Sequence, residues 1–189
     1  MTKARDLANG GFGLVLIKPS SVVNGTDNGK GTVSFTSAST ISLNDVFNST
    51  YTNYRILLRL TSGGSAGNVC MRLRVSGSDN STNNYYSGFS FDRFTNTTGN
   101  GAGNPNTTYV LPAMTSTGQV FSFNMDVFYP FTTNTTLISY KGTGQDVTSG
   151  YSMVGAGYHE VSSSFTGFTM FSNNGNLGTG TVSVYGYNN

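Results

Sequence analysis

The amino-acid sequence predicts an all-β protein, a jelly-roll-like β-sandwich with an extended N-terminal arm. Three observations lead there. Short runs of alternating apolar and polar residues recur along the chain, the clearest being QVFSFNMDVFYPF (Gln119 to Phe131), and a period of two is the mark of a half-buried strand. Turn formers separate these runs, with 25 Gly and many Asn, Ser and Thr. Aromatic residues reach 13% although charged residues are only 10%, and a disordered chain of such low charge would lack those aromatics. At 189 residues the chain is long enough for one domain with a substantial core.

The elements follow in order. Residues 1–24 read as an arm that lies against its own sheet or a neighbour, or else as a frayed terminus followed by a first strand. TKARDLAN has the composition for one or two helical turns, GGFG (Gly10 to Gly13) is a flexible break, and LVLIKP is a short apolar run ended by Pro19. Residues 25–189 read as the sandwich domain. TDNGKG (Thr26 to Gly31) reads as a turn, because it lacks the spaced acids and final Glu of a calcium loop. GTVSFT and TISL are strands, and LNDVFNSTY (Leu43 to Tyr51) is expected to form a helical turn capped by Asn44 or Asp45.

NYRILLRL and NVCMRLRV flank the loop TSGGSAG and are expected to pair as a hairpin. GFSFDRF is a strand, followed by a long polar loop from Thr95 to Thr108. TYVLPAM carries Pro112 and belongs at a sheet edge or strand end. In QVFSFNMDVFYPF, Phe121, Phe123, Met125, Val127 and Tyr129 are expected on one face. TTLISY, GYSMVGAGYHE, SFTGFTMF and TVSVYGY complete a set of eight to ten short strands. In the last, Val182 and Val184 face the core and Tyr185 and Tyr187 face outward.

Composition narrows function. A net charge of +2 without any dense Lys/Arg run argues against nucleic acid as a partner. No apolar run approaches the ~18 residues of a membrane span, and no leader pattern opens the chain, so neither a membrane nor secretion is expected. One Cys and one His exclude a zinc site built on those residues, and no cofactor is expected. His159 reads as a turn or interface residue, and no GxSxG elbow is present. Cys70 reads as a buried or half-buried structural thiol. The chain is therefore read as a non-enzyme, with neither catalytic nor metal residues.

One pattern rises above composition. Arg55 and Arg59 share a strand face, as do Arg72 and Arg74. If the two strands pair, four arginines cover one outer surface, and such a cluster needs acids from another strand or another chain. Arginine is favoured at interfaces, so Arg55, Arg59, Arg72 and Arg74, with Tyr185 and Tyr187, are the expected subunit contacts, and Asp126 an expected acid.

Several stretches also carry a family resemblance: TKARDLAN, VFNSTYTNYRILLRL, MRLRVSGSDN with NNYYSGFSF, FYPFTTNTTLISYKG and TGTVSVYGYNN. Together they touch most of the chain, and it resembles a family of small virion proteins of tailed bacteriophages, common among phages of cyanobacteria and other aquatic bacteria. The resemblance implies a jelly-roll module that assembles as a homotrimer and serves as a tail-fibre-like or other particle-surface protein. The expectation is a virion surface protein, made in the host cytoplasm, that decorates or cements the capsid and contacts major capsid or tail proteins. Lys3, Arg5, Asp6, Leu7 and Phe12 of the arm would anchor it. The alternative is a tail-fibre or tail-tip module binding host glycans through Tyr85, Tyr86 and Tyr109. A third class, a carbohydrate-active enzyme, would require a carboxylate pair such as Asp92 with Asp126.

Overall fold

The computed structural model describes residues 13–95, 100–145 and 149–188, which form sixteen strands and, among the described residues, no helix. Three short strands open the chain: β1 (Gly13–Ile17), β2 (Ser21–Val23) and β3 (Thr26–Asp27). After the TDNGKG turn come β4 (Thr32–Ala38) and β5 (Thr40–Asn44), then the long β6 (Asn53–Gly63) and β7 (Gly67–Val75). The turn is held as expected, with Asp27 Oδ1 accepting from the backbone N–H of Gly29 and Gly31. β8 (Ser78–Asp79), β9 (Tyr85–Arg93), β10 (Asn100–Thr107) and β11 (Val110–Thr115) follow. The chain continues through β12 (Phe121–Phe128), β13 (Thr136–Gln145), β14 (Gly150–His159), β15 (Gly167–Ser172) and β16 (Gly178–Asn188).

These strands build two antiparallel sheets. The larger runs β10-β9-β14-β13-β12-β6-β16-β4-β3, with β1 added along β16; the smaller runs β11-β7-β15-β5-β2, with β8 beside β7. Within them lies an eight-stranded jelly roll. β4-β16-β6-β12 faces β5-β15-β7-β11, and the successive strands β4/β5, β6/β7, β11/β12 and β15/β16 each cross from one sheet to the other. The hairpins β9–β10 and β13–β14 are additions that widen the larger sheet beyond β12.

Alternation decides what lies between the sheets. Tyr54, Ile56, Leu58 and Leu60 of β6 meet Val69, Met71 and Leu73 of β7 in one buried core, joined by Val182 and Val184 of β16. Burying each such side chain contributes about 1.5–3 kcal/mol. The widened part of the larger sheet is covered on its inner side by β11: Tyr140 Oη donates to Leu111 O at 3.0 Å, and Tyr151 Oη to Met114 O at 2.7 Å. Pro112 sits on β11, the edge strand of the smaller sheet, at a register shift between Val110 and Ala113.

The fold departs from the sequence reading at four places. β6 and β7 do not form a hairpin, because they lie in different sheets. LNDVFNSTY forms no helical turn: Asp45 takes a left-handed backbone (φ 56°), and Val46 and Phe47 plug the core. The polar stretch after Phe94 contains β10, whose backbone pairs with β9 although its Gly and Asn side chains show no strand pattern. Tyr129 leaves the face of Phe121 to Val127, with φ 58° and an exposed ring. In the described part of residues 1–24, β1 pairs with β16 and β2 with β5, so this segment lies along the protein's own sheets. The helical turns expected in TKARDLAN and the anchoring residues Lys3, Arg5, Asp6, Leu7 and Phe12 fall outside the described residues.

Candidate functional site

The four arginines do not share a surface. Arg55 and Arg59 lie on the outer face of the larger sheet, Arg72 and Arg74 on the outer face of the smaller one, because the chain changes sheet between β6 and β7. Each face has its own neutralising chemistry. Arg74 is almost buried and bonds Asp79, the carbonyl of Gly77, Ser42 Oγ (3.1 Å), Thr169 Oγ1 (2.6 Å) and Asn44 Oδ1 (3.0 Å). Arg72 donates to Thr108 O at 3.0 Å and lies 4.5 Å over the Phe171 ring. Arg55 grips Asp126 with two parallel bonds, Nε to Oδ1 at 2.7 Å and Nη2 to Oδ2 at 2.8 Å. Arg59 is exposed, and among the described residues it makes neither hydrogen bond nor ion pair.

Tyr187 joins the Arg55 pair by donating its hydroxyl to Asp126 Oδ1, and Arg55 lies 5.4 Å from its ring centre. Burial alone would raise the Asp126 pKa, but the Arg55 and Tyr187 hydrogen bonds outweigh it and hold the carboxyl below the usual range. Burial and the same carboxylate push the Tyr187 phenol up to about 12. Tyr185, on the same outer face, stands opposite Arg55 in register and is half-buried.

Of the three tyrosines expected to meet a glycan, one is excluded by burial. Tyr85 is fully buried, with Oη donating to Asn80 O at 2.9 Å and accepting from Leu73 N at 3.0 Å. Tyr109 packs edge-on against Phe171 beside the smaller sheet. Tyr86 does reach an outer surface, where its ring stacks on Tyr158 at 4.8 Å with an interplanar angle of 12°. Alternation placed one of the adjacent residues Tyr85 and Tyr86 inward, and two tyrosines gave no hint which.

The candidate catalytic groups are dispersed. His159 is not in a turn or at an interface: it is buried between the rings of Tyr85 and Phe165, 4.5 and 4.9 Å away. Its Nδ1 lies 3.2 Å from Val161 O and its Nε2 has no partner, and burial holds its pKa below the ordinary value. Cys70 is buried, and burial pushes its thiol up to about 12, which leaves it inert as a nucleophile. Asp92 and Asp126 are three strands and four residues apart in register, roughly 19 Å at ordinary strand spacings, beyond the separation a glycosidase pair uses.

Among the described residues, the outer face of the larger sheet is left open. Register lays its side chains in rows across the strands. One row is Tyr86, Tyr158, Leu137 and Phe128 on β9, β14, β13 and β12. The next is Gly103, Gly88, Ala156 and Ser139, on β10, β9, β14 and β13. The third is Ser90, Val154, Lys141 and Asn124. Leu137 is 50% exposed and Val154 59%, unusual values for such side chains within a sheet. A groove of about 740 Å³ lies across this face, with Leu57, Asn124, Lys141 and Val154 in its lining. Smaller hollows of about 260 and 520 Å³ lie beside Lys141 and beside the Tyr86–Tyr158 stack. The sequence reading missed Lys141 and Tyr158; their signal was position, since each is an outward residue of an alternating strand.

No protein-family model and no curated protein matches the chain. Among solved structures it is similar to the SPRY domain of human HERC1, at 11% sequence identity and a TM-score of 0.36, over 86% of this chain and 99% of that one. The likeness is too distant to assign a function or a ligand.

Proposed function

We propose that the chain is a non-enzymatic structural protein of a tailed-phage virion, displayed as a trimer on the particle surface and decorating or cementing the capsid. The observation that carries this reading is the division of the molecule's surfaces. Three of the four arginines on β6 and β7 are bound within the chain, while the outer face of the larger sheet keeps exposed Leu57, Leu137 and Val154. Such a face is suited to contact with another molecule. The jelly roll also limits unpaired strand edges, which matters for a protein held at high local copy number. A second reading, a tail-fibre or tail-tip module, is favoured by the outward Tyr86–Tyr158 stack.

The deciding experiment is copy number in purified particles, measured against the most abundant shell protein by quantitative mass spectrometry. A ratio near one, or a simple fraction of it, supports capsid decoration; a handful of copies per particle supports a tail location; absence from the particle overturns both. Because β1 and β2 are sheet strands, the deletion that tests anchoring by the arm is residues 1–12, not the whole of 1–24. That truncated protein should stay folded and lose capsid binding. Arg59 is the arginine proposed for contact between subunits, so Arg59→Glu should lower the mass seen by light scattering from trimer to monomer.

A further inference from the structure

The rows described above form a trough. Its floor is Gly103, Gly88 and Ala156, three neighbouring strand positions with nothing larger than a methyl group. Its walls stand two residues away on each side, so they are roughly 14 Å apart between Cα positions. One wall presents the stacked rings of Tyr86 and Tyr158, the other presents Val154 and Lys141. The whole trough sits on the two hairpins added to the jelly roll. The fold does not need it: a Cβ on Gly103 would meet nothing within 4 Å, and one on Gly88 only Ala102 O at 3.5 Å.

We propose that this trough binds an acidic oligosaccharide, with a sugar ring against the Tyr86–Tyr158 platform and a carboxylate at Lys141. Three features select that class. Tyrosine faces supply apolar contact to the C–H side of a sugar ring, and the Ser139 and Ser90 hydroxyls beside the floor supply hydrogen bonds. An extended peptide would add along the unpaired edge of β10 and not lie across the floor, because β9 and β14 are paired on both sides. The charge pattern fixes the acidic group. Asp126, the carboxylate nearest Lys141 in register, is already held by Arg55 and Tyr187. Lys141 is exposed and makes no ion pair among the described residues: it acts on Asp126 only through space, and Asp92, which lines the same groove, stands two strands away, roughly 12 Å in register. Glu160, exposed just beyond β14 and two residues from Tyr158, lies at the opposite end, so a negative group is better placed at the Lys141 end.

This inference rests on the second reading, whose Tyr86–Tyr158 stack it takes as one wall, and it is tested on the isolated full chain. Titration calorimetry with a galacturonic acid hexamer and with maltohexaose should show binding of both, the acidic one tighter by about tenfold, the scale of one charge-assisted hydrogen bond. Lys141→Gln should abolish that difference, bringing the two affinities together. Tyr158→Ala should weaken both by about five- to tenfold. Gly103→Leu should block both while leaving the thermal unfolding midpoint unchanged, because the added side chain enters open space. No binding of either sugar at millimolar concentration overturns the proposal. So does binding that survives Gly103→Leu, an acidic preference that survives Lys141→Gln, or capture of extended peptides in place of sugars. The copy-number measurement is independent of all these outcomes, so either idea can fail without the other.

Discussion

The two outer faces of the sandwich both carry an arginine gripping an aspartate, yet they are built differently. On the smaller sheet, Arg74 is nearly buried, and every direction of its guanidinium is met by Asp79, Ser42, Thr169, Asn44 or the Gly77 carbonyl. On the larger sheet, the Arg55 side chain is 31% exposed and borders the open groove, with Asp126 and Tyr187 as its partners. The difference teaches that an ion pair's meaning depends on what surrounds it. The first closes a polar network over a sheet. The second neutralises a carboxylate on a surface that otherwise stays accessible.

The strongest way to break this contrast is Arg74→Ala. It leaves Asp79, Thr169 and Ser42 without their shared donor, and urea unfolding should show a loss of about 3 kcal/mol. Arg55→Ala should lose only about 1 kcal/mol, because water replaces the lost partner at a half-exposed site. Equal losses would remove the distinction between a closed and an open face.

Acid sharpens the comparison further. The folded-state pKa of Asp126 lies below its unfolded value, so the stability it contributes is complete above about pH 3.9 and is lost as pH falls through the folded value. Asp126→Asn should flatten that acid limb. A separate limb should start near pH 6.5, where an unfolded His begins to bind a proton that buried His159 resists. His159→Phe should erase it, and unfolding followed across pH 3–8 distinguishes the two. The last comparison sets a glycine of each sheet side by side. Gly103→Ala on the open face should change stability by less than about 0.5 kcal/mol. Gly167→Ala in the smaller sheet drives a Cβ to within 2.2 Å of Leu43 O and should cost about 2 kcal/mol.

Much of the architecture was legible because alternation is a local signal. Phe121 to Val127 and Tyr54 to Leu60 declared their inward faces, and Pro112 declared an edge. What was illegible depends on distant partners. Nothing within TSGGSAG distinguishes a hairpin from a crossing between sheets, and that one ambiguity moved Arg72 and Arg74 to the opposite side of the molecule. β10 was hidden because a strand of Gly and Asn pairs through its backbone alone. The open trough was invisible for the same reason: its floor is defined by three small residues brought into line from β10, β9 and β14, and only register aligns them.

The position of β16 has a consequence in time. It lies between β6 and β4, and the two halves of the larger sheet meet only through it. Its pairing with β6 joins Gly178–Gly186 to Tyr54–Gly63, across more than half of the chain. Loops of that size close slowly, so folding is expected on the slow side for a domain of this length. On the ribosome, β4 and β6 must wait, edges unpaired, until Gly186 has emerged. β6 can pair with β12 once Phe128 is made, but its other edge and that of β4 stay open until β16 follows, so the growing chain carries open strand edges, the feature that exposes a nascent sheet to aggregation, until close to the end of β16.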